Sequence, residues 1–203
     1  MTAAAEPPLR RAVAPAMTDA HHYPLLANPH VRLTGSVDQN MYSQFRSALE
    51  NAPRDGSIVI ALTTLGGDPE VARTMGDDVR MLREYDGREL LFLGRQAVYS
   101  AGATFMSYFP REHRFLTRQT RLMIHERQMN ASVNLSGPLR MCIAQLKAKL
   151  HEIEHSIEIE EEGFRALAEQ SRVSFEDIRE KAPENWYIEA QEAKKLGLVL
   201  DIV

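Results

Sequence analysis

Short apolar runs that alternate with helical segments constrain the fold of this chain more than any other feature. Three apolar runs that suit buried strands occur at 57–63, 89–94 and 122–124, and a further short strand is predicted at 31–34. Continuous apolar runs are typical of parallel strands that are covered on both faces of a sheet. Strands that alternate with helices predict an α/β architecture. The pattern alone does not separate a doubly wound sheet from a spiral arrangement.

Helical periodicity fills the intervals between these strands. Met41, Phe45 and Leu49 share one helical face, which predicts a helix that ends near residue 51 and has Asp38 as its N-cap. Two further helices are predicted at about 69–84 and 101–108. The sequence therefore repeats a β-then-α unit along most of its first half.

The segment 138–170 is the most regular part of the chain. Ser136 is the predicted N-cap, Pro138 lies in the first turn, and Gly163 is where a kink or a break would fall. An unbroken helix here would be about 50 Å long. Its apolar residues form a heptad-like seam that Glu160 interrupts once: Leu139, Ile143, Leu146, Leu150, Ile153, Ile157, Phe164 and Leu167. We expect a second subunit to cover this seam, because so small a domain has little surface left to do it.

Composition limits the class of protein. A chain of 203 residues suits one domain, and we expect a flexible segment at 1–28 followed by a domain at 29–203. The net charge of −4 gives no basic face for a nucleic acid, and no apolar run is long enough to span a membrane. Cys142 is the only cysteine, which predicts a reducing compartment such as the cytoplasm.

The residues required for serine hydrolysis occur at the ends of the predicted strands. Ser100 lies between a strand and an apolar helix, where helix N–H groups favour developing negative charge. His125 ends another strand, at the edge where α/β sheets build their sites. Gly66 and Gly67 follow a third strand and could present backbone N–H groups to an oxyanion. Each signal is weak alone, so the prediction depends on their combination and order.

Several motifs, taken in order, resemble those of the Clp protease proteolytic subunit, a peptidase family within the Clp/crotonase superfamily. They are LTGSV at 33–37, TLGGD at 64–68, YSAGA at 99–103 and LMIH at 122–125. The tail is similar at 174–178, 190–193 and 196–199, so the resemblance covers about 31–203. The separation of 25 residues between Ser100 and His125 also matches the family.

The resemblance implies a role for each residue of the site. Ser100 would be the nucleophile, His125 the general base, and Asn185 would fall at the third position of the triad. Gly67 and Ala101 would supply the oxyanion N–H groups. No cofactor or metal is implied. The implied activity is ATP-independent hydrolysis of peptides or unfolded polypeptides.

The resemblance also implies an architecture and an assembly. The fold would be a Clp/crotonase-like ββα spiral with a long protruding handle helix, the handle spanning about 126–171. The chain would form a homo-oligomeric ring, with stacked rings enclosing the active sites in a chamber. The resemblance also implies that an AAA+ unfoldase docks on the ring. The segment before residue 31 does not carry the family's axial-loop sequence, which argues against such docking.

Two further departures from the family pattern affect the site. The family normally has aspartate at the third triad position, whereas this chain has Asn185. An asparagine can orient the imidazole but does not stabilise an imidazolium by charge, so slower turnover is expected. Asp68 and Glu126 are alternative orienting carboxylates, although Glu126 points away if 122–126 is extended. The glycine-rich stretch that usually follows the histidine is replaced by ERQMNASVNL at 126–135, so we expect the substrate-aligning strand to differ.

A second motif favours a different chemistry. His151, Glu152 and His155 satisfy the H-E-x-x-H pattern of zinc peptidases, with both histidines on one helical face. The heptad register places them on the side of the helix opposite the apolar seam, and no third ligand is evident. A solvated helix face is therefore the preferred interpretation, and the acidic run at 158–162 is interpreted in the same way.

Two alternative functions stay open from the sequence. A non-catalytic scaffold or regulatory subunit on the same fold is suggested by Asn185 and by the altered stretch at 126–135. A crotonase-type acyl-CoA enzyme shares the spiral fold, but its usual acid and base carboxylates have no clear match here.

Overall fold

The computed structural model describes residues 23–169 and 171–203. Seven strands form one sheet: β1 (Val31–Thr34), β2 (Ile58–Thr64), β3 (Leu90–Tyr99), β4 (Arg114–Leu116), β5 (Arg121–Ile124), β6 (Trp186–Glu189) and β7 (Asp201–Ile202). Six α-helices accompany them: α1 (Gln39–Glu50), α2 (Pro69–Tyr85), α3 (Ala101–Ser107), α4 (Leu139–Ala168), α5 (Phe175–Lys181) and α6 (Ala190–Lys195). The predicted α/β architecture is confirmed.

The long strand β3 organises the sheet. Strands β1, β2, β3, β4 and β7 follow one another in parallel. The first part of β3 pairs with β4, whereas its last three residues pair with β5. On its other side β5 pairs with the antiparallel strand β6. Gln96, with φ of 58°, lies where β3 changes partners. This branching turns the sheet and brings the ends of β2, β3 and β5 together.

The apolar runs became strands because they are covered on both faces. Six of the seven residues of β2 are buried, and Phe45, Phe92, Phe105 and Phe109 pack edge to face between the sheet and the helices. Burial of four phenylalanines is a large stabilising contribution, on the order of 2 kcal/mol each. Phe105 belongs to α3, so this packing fixes the helix that follows Ser100.

The N-terminal part of the described chain covers the other face of the sheet. Pro24–Ala27 form a 3-10 helix, and Leu26 is buried. It packs in a small cluster with Val59, Ala61, Leu93 and Phe115. The flexible segment expected at 1–28 falls largely outside the described residues, since 1–22 are not described.

Helix α4 begins later than the sequence predicts. The prediction of Ser136 as N-cap was wrong: Pro138 is the N-cap, and the helix starts at Leu139. Gly137 has a φ of +110°, so the chain just before Pro138 is not helical. From there α4 runs without interruption through Gly163 for 30 residues, or about 45 Å.

The apolar seam of α4 divides into two parts. Phe164 and Leu167 are buried, so the C-terminal part of α4 packs on the domain. Each seam residue from Leu139 to Ile157 is between 39 and 82% exposed. Among the described residues, no helix is both long enough and apolar enough to cross a membrane.

Candidate active site

Ser100 occupies the junction between β3 and α3 in a strained backbone conformation. Its φ is 55° and its ψ −117°, a region that residues other than glycine rarely adopt. Its N–H donates to the carbonyl of Met123 at 2.8 Å, and its carbonyl accepts from Ala103 and Thr104 in the first turn of α3. The sheet and the helix together therefore hold the strain and present the hydroxyl at the turn.

His125 lies one residue beyond β5 and contacts Ser100 directly. The pairing of Tyr99 with Met123 aligns the ends of β3 and β5, and His125 Nε2 is 2.7 Å from Ser100 Oγ. Partial burial lowers the pKa of His125 below its ordinary value and so favours the neutral imidazole. With its proton on Nδ1, this ring accepts a hydrogen bond from the serine hydroxyl.

The Gly66-Gly67 turn approaches the serine more closely than any side chain would allow. A Cβ on Gly66 would lie 2.8 Å from Ser100 Cβ, and one on Gly67 would lie 2.3 Å from the carbonyl oxygen of Val37. Both glycines have positive φ angles, 116° and 147°. Val37 accepts from Asp68 N–H and donates to the carbonyl of Gly66, which fixes the turn beside the serine.

Two backbone N–H groups remain available beside Ser100. Gly67 and Ala101 line the same cavity as the serine. Across residues 23–169 and 171–203, no hydrogen-bond acceptor takes the N–H of either residue. The pair is therefore suited to receive an oxyanion.

Asn185 lies just before β6, at the end of a 3-10 helix formed by Ala182–Glu184, and makes no hydrogen bond to the His125 ring. The last paired residues of β5 and β6 are Ile124 and Trp186, so Asn185 follows opposite His125 in register. Asn185 is exposed, with φ of 57°, and its side chain makes no hydrogen bond in the described chain. Its place in a triad stays a prediction.

The two alternative orienting carboxylates, Asp68 and Glu126, differ in their surroundings. Asp68 is the N-cap of α2 and accepts from the N–H groups of Glu70 and Val71, at 2.8 and 3.4 Å. Glu126 lines the cavity next to His125. Neither carboxylate has a hydrogen bond or an ion pair with His125 in the described chain.

A cavity of about 970 Å³ extends from Ser100 to the C-terminal half of α4. Its apolar wall includes Ile124, Ile153, Ile157, Phe164 and Leu167. Its charged wall includes Arg73, Arg127, Arg179, Glu160, Glu161 and Glu162. The cavity is large enough for several side chains of a bound peptide, and Ser100 and His125 both line it.

Sequence reasoning missed the charged groups that hold the chain after His125. Glu160 accepts a hydrogen bond from the N–H of Arg127, and the Arg127 guanidinium pairs with Glu70. Burial, reinforced by the charges of Glu126 and Glu161, raises the pKa of Glu160. The available signal was the interruption of the apolar seam at Glu160, because a charged residue at a seam position faces the protein and needs a partner there.

The H-E-x-x-H motif lies on the exposed part of α4. His155 pairs weakly with Glu158, and its side chain is 73% exposed. Among the residues that the structure describes, no three histidine, cysteine or carboxylate side chains are grouped closely enough to hold a metal ion. The motif therefore has no site built around it within this part of the chain.

Comparison with known proteins gives consistent matches. The Clp protease family model matches residues 16–203. The ATP-dependent Clp protease proteolytic subunit 3 of Rhizobium etli is 26% identical over 181 residues, which are 88% of this chain and 86% of the relative. The protein of the same name from Rhizobium johnstonii is 24% identical over the same shares of both chains.

Among solved structures, a mutant of ClpP1 from Listeria monocytogenes superimposes with a TM-score of 0.63. The identity is 24%, and the match covers 85% of this chain and 90% of the other. This likeness supports the Clp/crotonase-like fold that the sequence predicts.

Proposed function

Because this chain belongs to the Clp protease family, we propose that it is a serine endopeptidase core that hydrolyses peptides or unfolded polypeptides without ATP. The observation that carries the proposal is the 2.7 Å contact between His125 Nε2 and Ser100 Oγ. That contact occurs beside two N–H groups, of Gly67 and Ala101, and opens into a cavity large enough for a peptide.

In the proposed reaction, Ser100 attacks the carbonyl carbon of the scissile peptide bond while His125 takes the hydroxyl proton. The carbonyl oxygen becomes an oxyanion, which the N–H groups of Gly67 and Ala101 stabilise. His125 then gives the proton to the departing amine, and the C–N bond breaks to leave an acyl-enzyme. A water molecule, deprotonated by the same imidazole, hydrolyses the ester and restores Ser100.

In the proposed mechanism His125 lacks the carboxylate that stabilises the imidazolium in a Ser-His-Asp triad. Asn185 would orient the Nδ1–H of His125 once substrate is bound, because catalytic contacts often tighten only in the complex. An amide does not compensate the positive charge of an imidazolium. We therefore expect a slow peptidase whose activity depends strongly on how His125 is held.

Peptide hydrolysis tests this proposal. Ser100→Ala is expected to lower kcat on a fluorogenic peptide by a factor of about 10³ or more. Ser43→Ala, which removes an exposed hydroxyl of α1, is the matched control and is expected to keep full activity. Hydrolysis by Ser100→Ala at the rate of the unsubstituted protein would contradict the assignment.

The exposed seam of α4 supports a homo-oligomer as the working form, with the active sites facing a shared chamber. Seven large apolar side chains between Leu139 and Ile157 are exposed on this helix, and such a patch is expected to be covered by a partner. The single cysteine fits a reducing, cytoplasmic location. Docking of an AAA+ unfoldase is not part of the proposal.

One observation favours the second candidate function, a non-catalytic scaffold on the same fold. The side chain of Asn185 is exposed and has no hydrogen bond to His125. If the folded, assembled protein neither hydrolyses peptides nor reacts with serine-directed reagents, the scaffold becomes the better assignment.

A further inference from the structure

A chain of alternating charges connects three segments around the Ser100 cavity. Arg127 Nη2 lies 2.5 Å from Glu70 Oε1, and Glu70 Oε2 lies 3.0 Å from Arg73 Nη1. Arg73 Nη2 reaches Glu162 Oε2 at 3.5 Å. The N–H of Arg127 donates to the carboxylate of Glu160. This row of charged contacts therefore starts and ends on α4, and it includes residues of α2 and of the segment after β5.

Arg127 is the anchor of the segment that follows His125. Pairing with β6 holds the backbone of β5 as far as Ile124. From His125 to Pro138 the chain has neither helix nor strand. Arg127, two residues after His125, is held through both its backbone N–H and its guanidinium. These contacts restrain the backbone on the C-terminal side of His125.

The partner of Arg127 belongs to the segment that carries the oxyanion N–H group. Glu70 lies in the first turn of α2, three residues after Gly67. Asp68 Oδ1 caps this turn, and the turn is fixed to Val37. The ion pair between Arg127 and Glu70 therefore connects the segment that carries the His125 imidazole to the segment that carries the Gly67 N–H group.

The charge states needed for this connection are favoured at neutral pH. Burial disfavours the charged form of Glu70, but hydrogen bonds and charges from Arg127 and Arg73 outweigh it and lower the pKa of Glu70. Glu70 is therefore ionised opposite Arg127. The Glu70 side chain is 53% exposed, so the ion pair contributes little to the free energy of unfolding. Its effect is to fix the position of the segment after His125 relative to the first turn of α2.

We propose that Arg127 is a positioning residue, which sets His125 against the Gly67 turn through Glu70 and fixes both to α4 through Glu160. Arg127 acts through the backbone and takes no part in the proton transfers. The inference rests on the proposed peptidase function and goes beyond it, because it names residues outside the triad and the oxyanion site that control the rate.

Kinetics of single and double variants test the inference. Arg127→Ala and Glu70→Ala are each expected to lower kcat by about ten- to a hundredfold, since small displacements of a catalytic group have effects of that size. The melting temperature is expected to stay unchanged, and kcat is expected to fall by a larger factor than KM rises, although Arg127 lines the cavity. The double variant should lose no more than either single one, because both remove the same contact. Arg127→Lys and Glu160→Gln should retain more activity than Arg127→Ala and Glu160→Ala.

Arg46→Ala is the matched control, because it breaks an exposed ion pair with Asp78 between α1 and α2, away from the residues that line the cavity. It should leave kcat unchanged. A parallel fall of kcat and melting temperature in Arg127→Ala would overturn the inference in favour of a structural role. Additive losses in the double variant would overturn the Arg127–Glu70 connection.

A readout that does not require peptidase activity separates this inference from the proposed function. The rate at which diethyl pyrocarbonate modifies His125, followed by mass spectrometry, reports how firmly the ring is held. We expect a several-fold faster modification in Arg127→Ala than in the unsubstituted protein or in Arg46→Ala. Equal rates in all three proteins would overturn the positioning role, whether or not peptides are hydrolysed.

Discussion

Gln96, Ser100 and Asn185 are the non-glycine residues with positive φ angles in the described chain. Two of them are proposed members of the catalytic triad, and Gln96 lies on β3, the strand that immediately precedes Ser100. Such conformations persist only where surrounding structure enforces them. Here β5 holds the Ser100 N–H and α3 holds its carbonyl, so the strain is maintained by the two elements that meet at the site.

Substitution of Asn185 by aspartate tests the electrostatic deficit of the site. Because burial lowers the pKa of His125, we expect the ring to protonate, and kcat/KM to fall, at a lower pH than an exposed imidazole would give. A carboxylate at position 185 would stabilise the imidazolium and raise that pKa. Asn185→Asp is therefore expected to move the acid limb of the pH profile upward and to raise kcat by about tenfold or more.

The control for this prediction is Asn40→Asp, which adds the same charge in the exposed first turn of α1. It should change neither the acid limb nor kcat. If Asn185→Asp gave the profile of the unsubstituted protein, Asn185 would have no part in orienting His125.

Arg114 is a buried cation whose partners are backbone carbonyls. It is 3% exposed, and burial lowers its pKa to about 10. It donates to the carbonyls of Ser107, Phe109 and Leu198 at 3.0, 2.7 and 3.3 Å. Since the carbonyls at the end of α3 have no partners within the helix, Arg114 closes that end and ties it to the residues before β7.

Replacement of Arg114 by methionine should therefore be strongly destabilising. It leaves three buried carbonyls unpaired, and we expect a loss of about 3 kcal/mol or more in the free energy of unfolding. Urea denaturation measures this loss. Arg118→Met, at an exposed position after β4, is the control and should unfold at nearly the unsubstituted urea concentration. Equal midpoints for both variants would contradict the role of Arg114.

At the residue scale, the sequence predicts what lies at the ends of strands and misses what depends on tertiary contacts. Ser100 and His125 could be found because each follows an apolar run. The Arg127–Glu70 pair joins residues 57 positions apart on segments whose approach no local pattern reveals. Glu160 was interpreted as part of a solvated acidic run, although its position on the apolar seam already indicated otherwise.

At the scale of elements, long apolar or periodic segments were predictable and short ones were not. Strands β1, β2 and β5 and helices α1, α2 and α3 lie within a residue or two of their predicted positions. Strands β4, β6 and β7, which have three, four and two residues, were not predicted. Such short strands form because neighbouring strands offer unpaired backbone groups, which is information that local sequence does not contain.

The exposed seam of α4 is expected to form the contact between subunits. Leu146→Glu combined with Leu150→Glu places two charges on the apolar face and is expected to shift the protein from oligomer to smaller species. Light scattering coupled to size-exclusion chromatography measures the mass. The same secondary structure content by circular dichroism should be retained, because these side chains are about half exposed.

Gln145→Glu combined with Ala148→Glu is the matched control for the seam. It adds two negative charges to the opposite side of the same exposed stretch of α4 and should leave the oligomer intact. Dissociation by both double variants would indicate a general effect of charge, and an intact oligomer with both would place the interface elsewhere.

At the scale of the whole molecule, the branching of the sheet creates the site. The ends of β2, β3 and β5 supply the Gly67 turn, Ser100 and His125, which are far apart in the sequence. Helix α4 then returns over them and closes one side of the cavity. The family motifs predicted this convergence, since they occur at the ends of those strands, whereas the path of α4 across the cavity follows from packing of Phe164 and Leu167.

Identification of the residue that reacts with a fluorophosphonate tests the central claim most directly. The assembled protein is treated with the reagent, digested, and the modified peptide is located by mass spectrometry. We expect a single modified serine, Ser100, and no modification in Ser100→Ala. Modification at another serine, or none in a folded and assembled protein, would contradict the claim that Ser100 is an activated nucleophile.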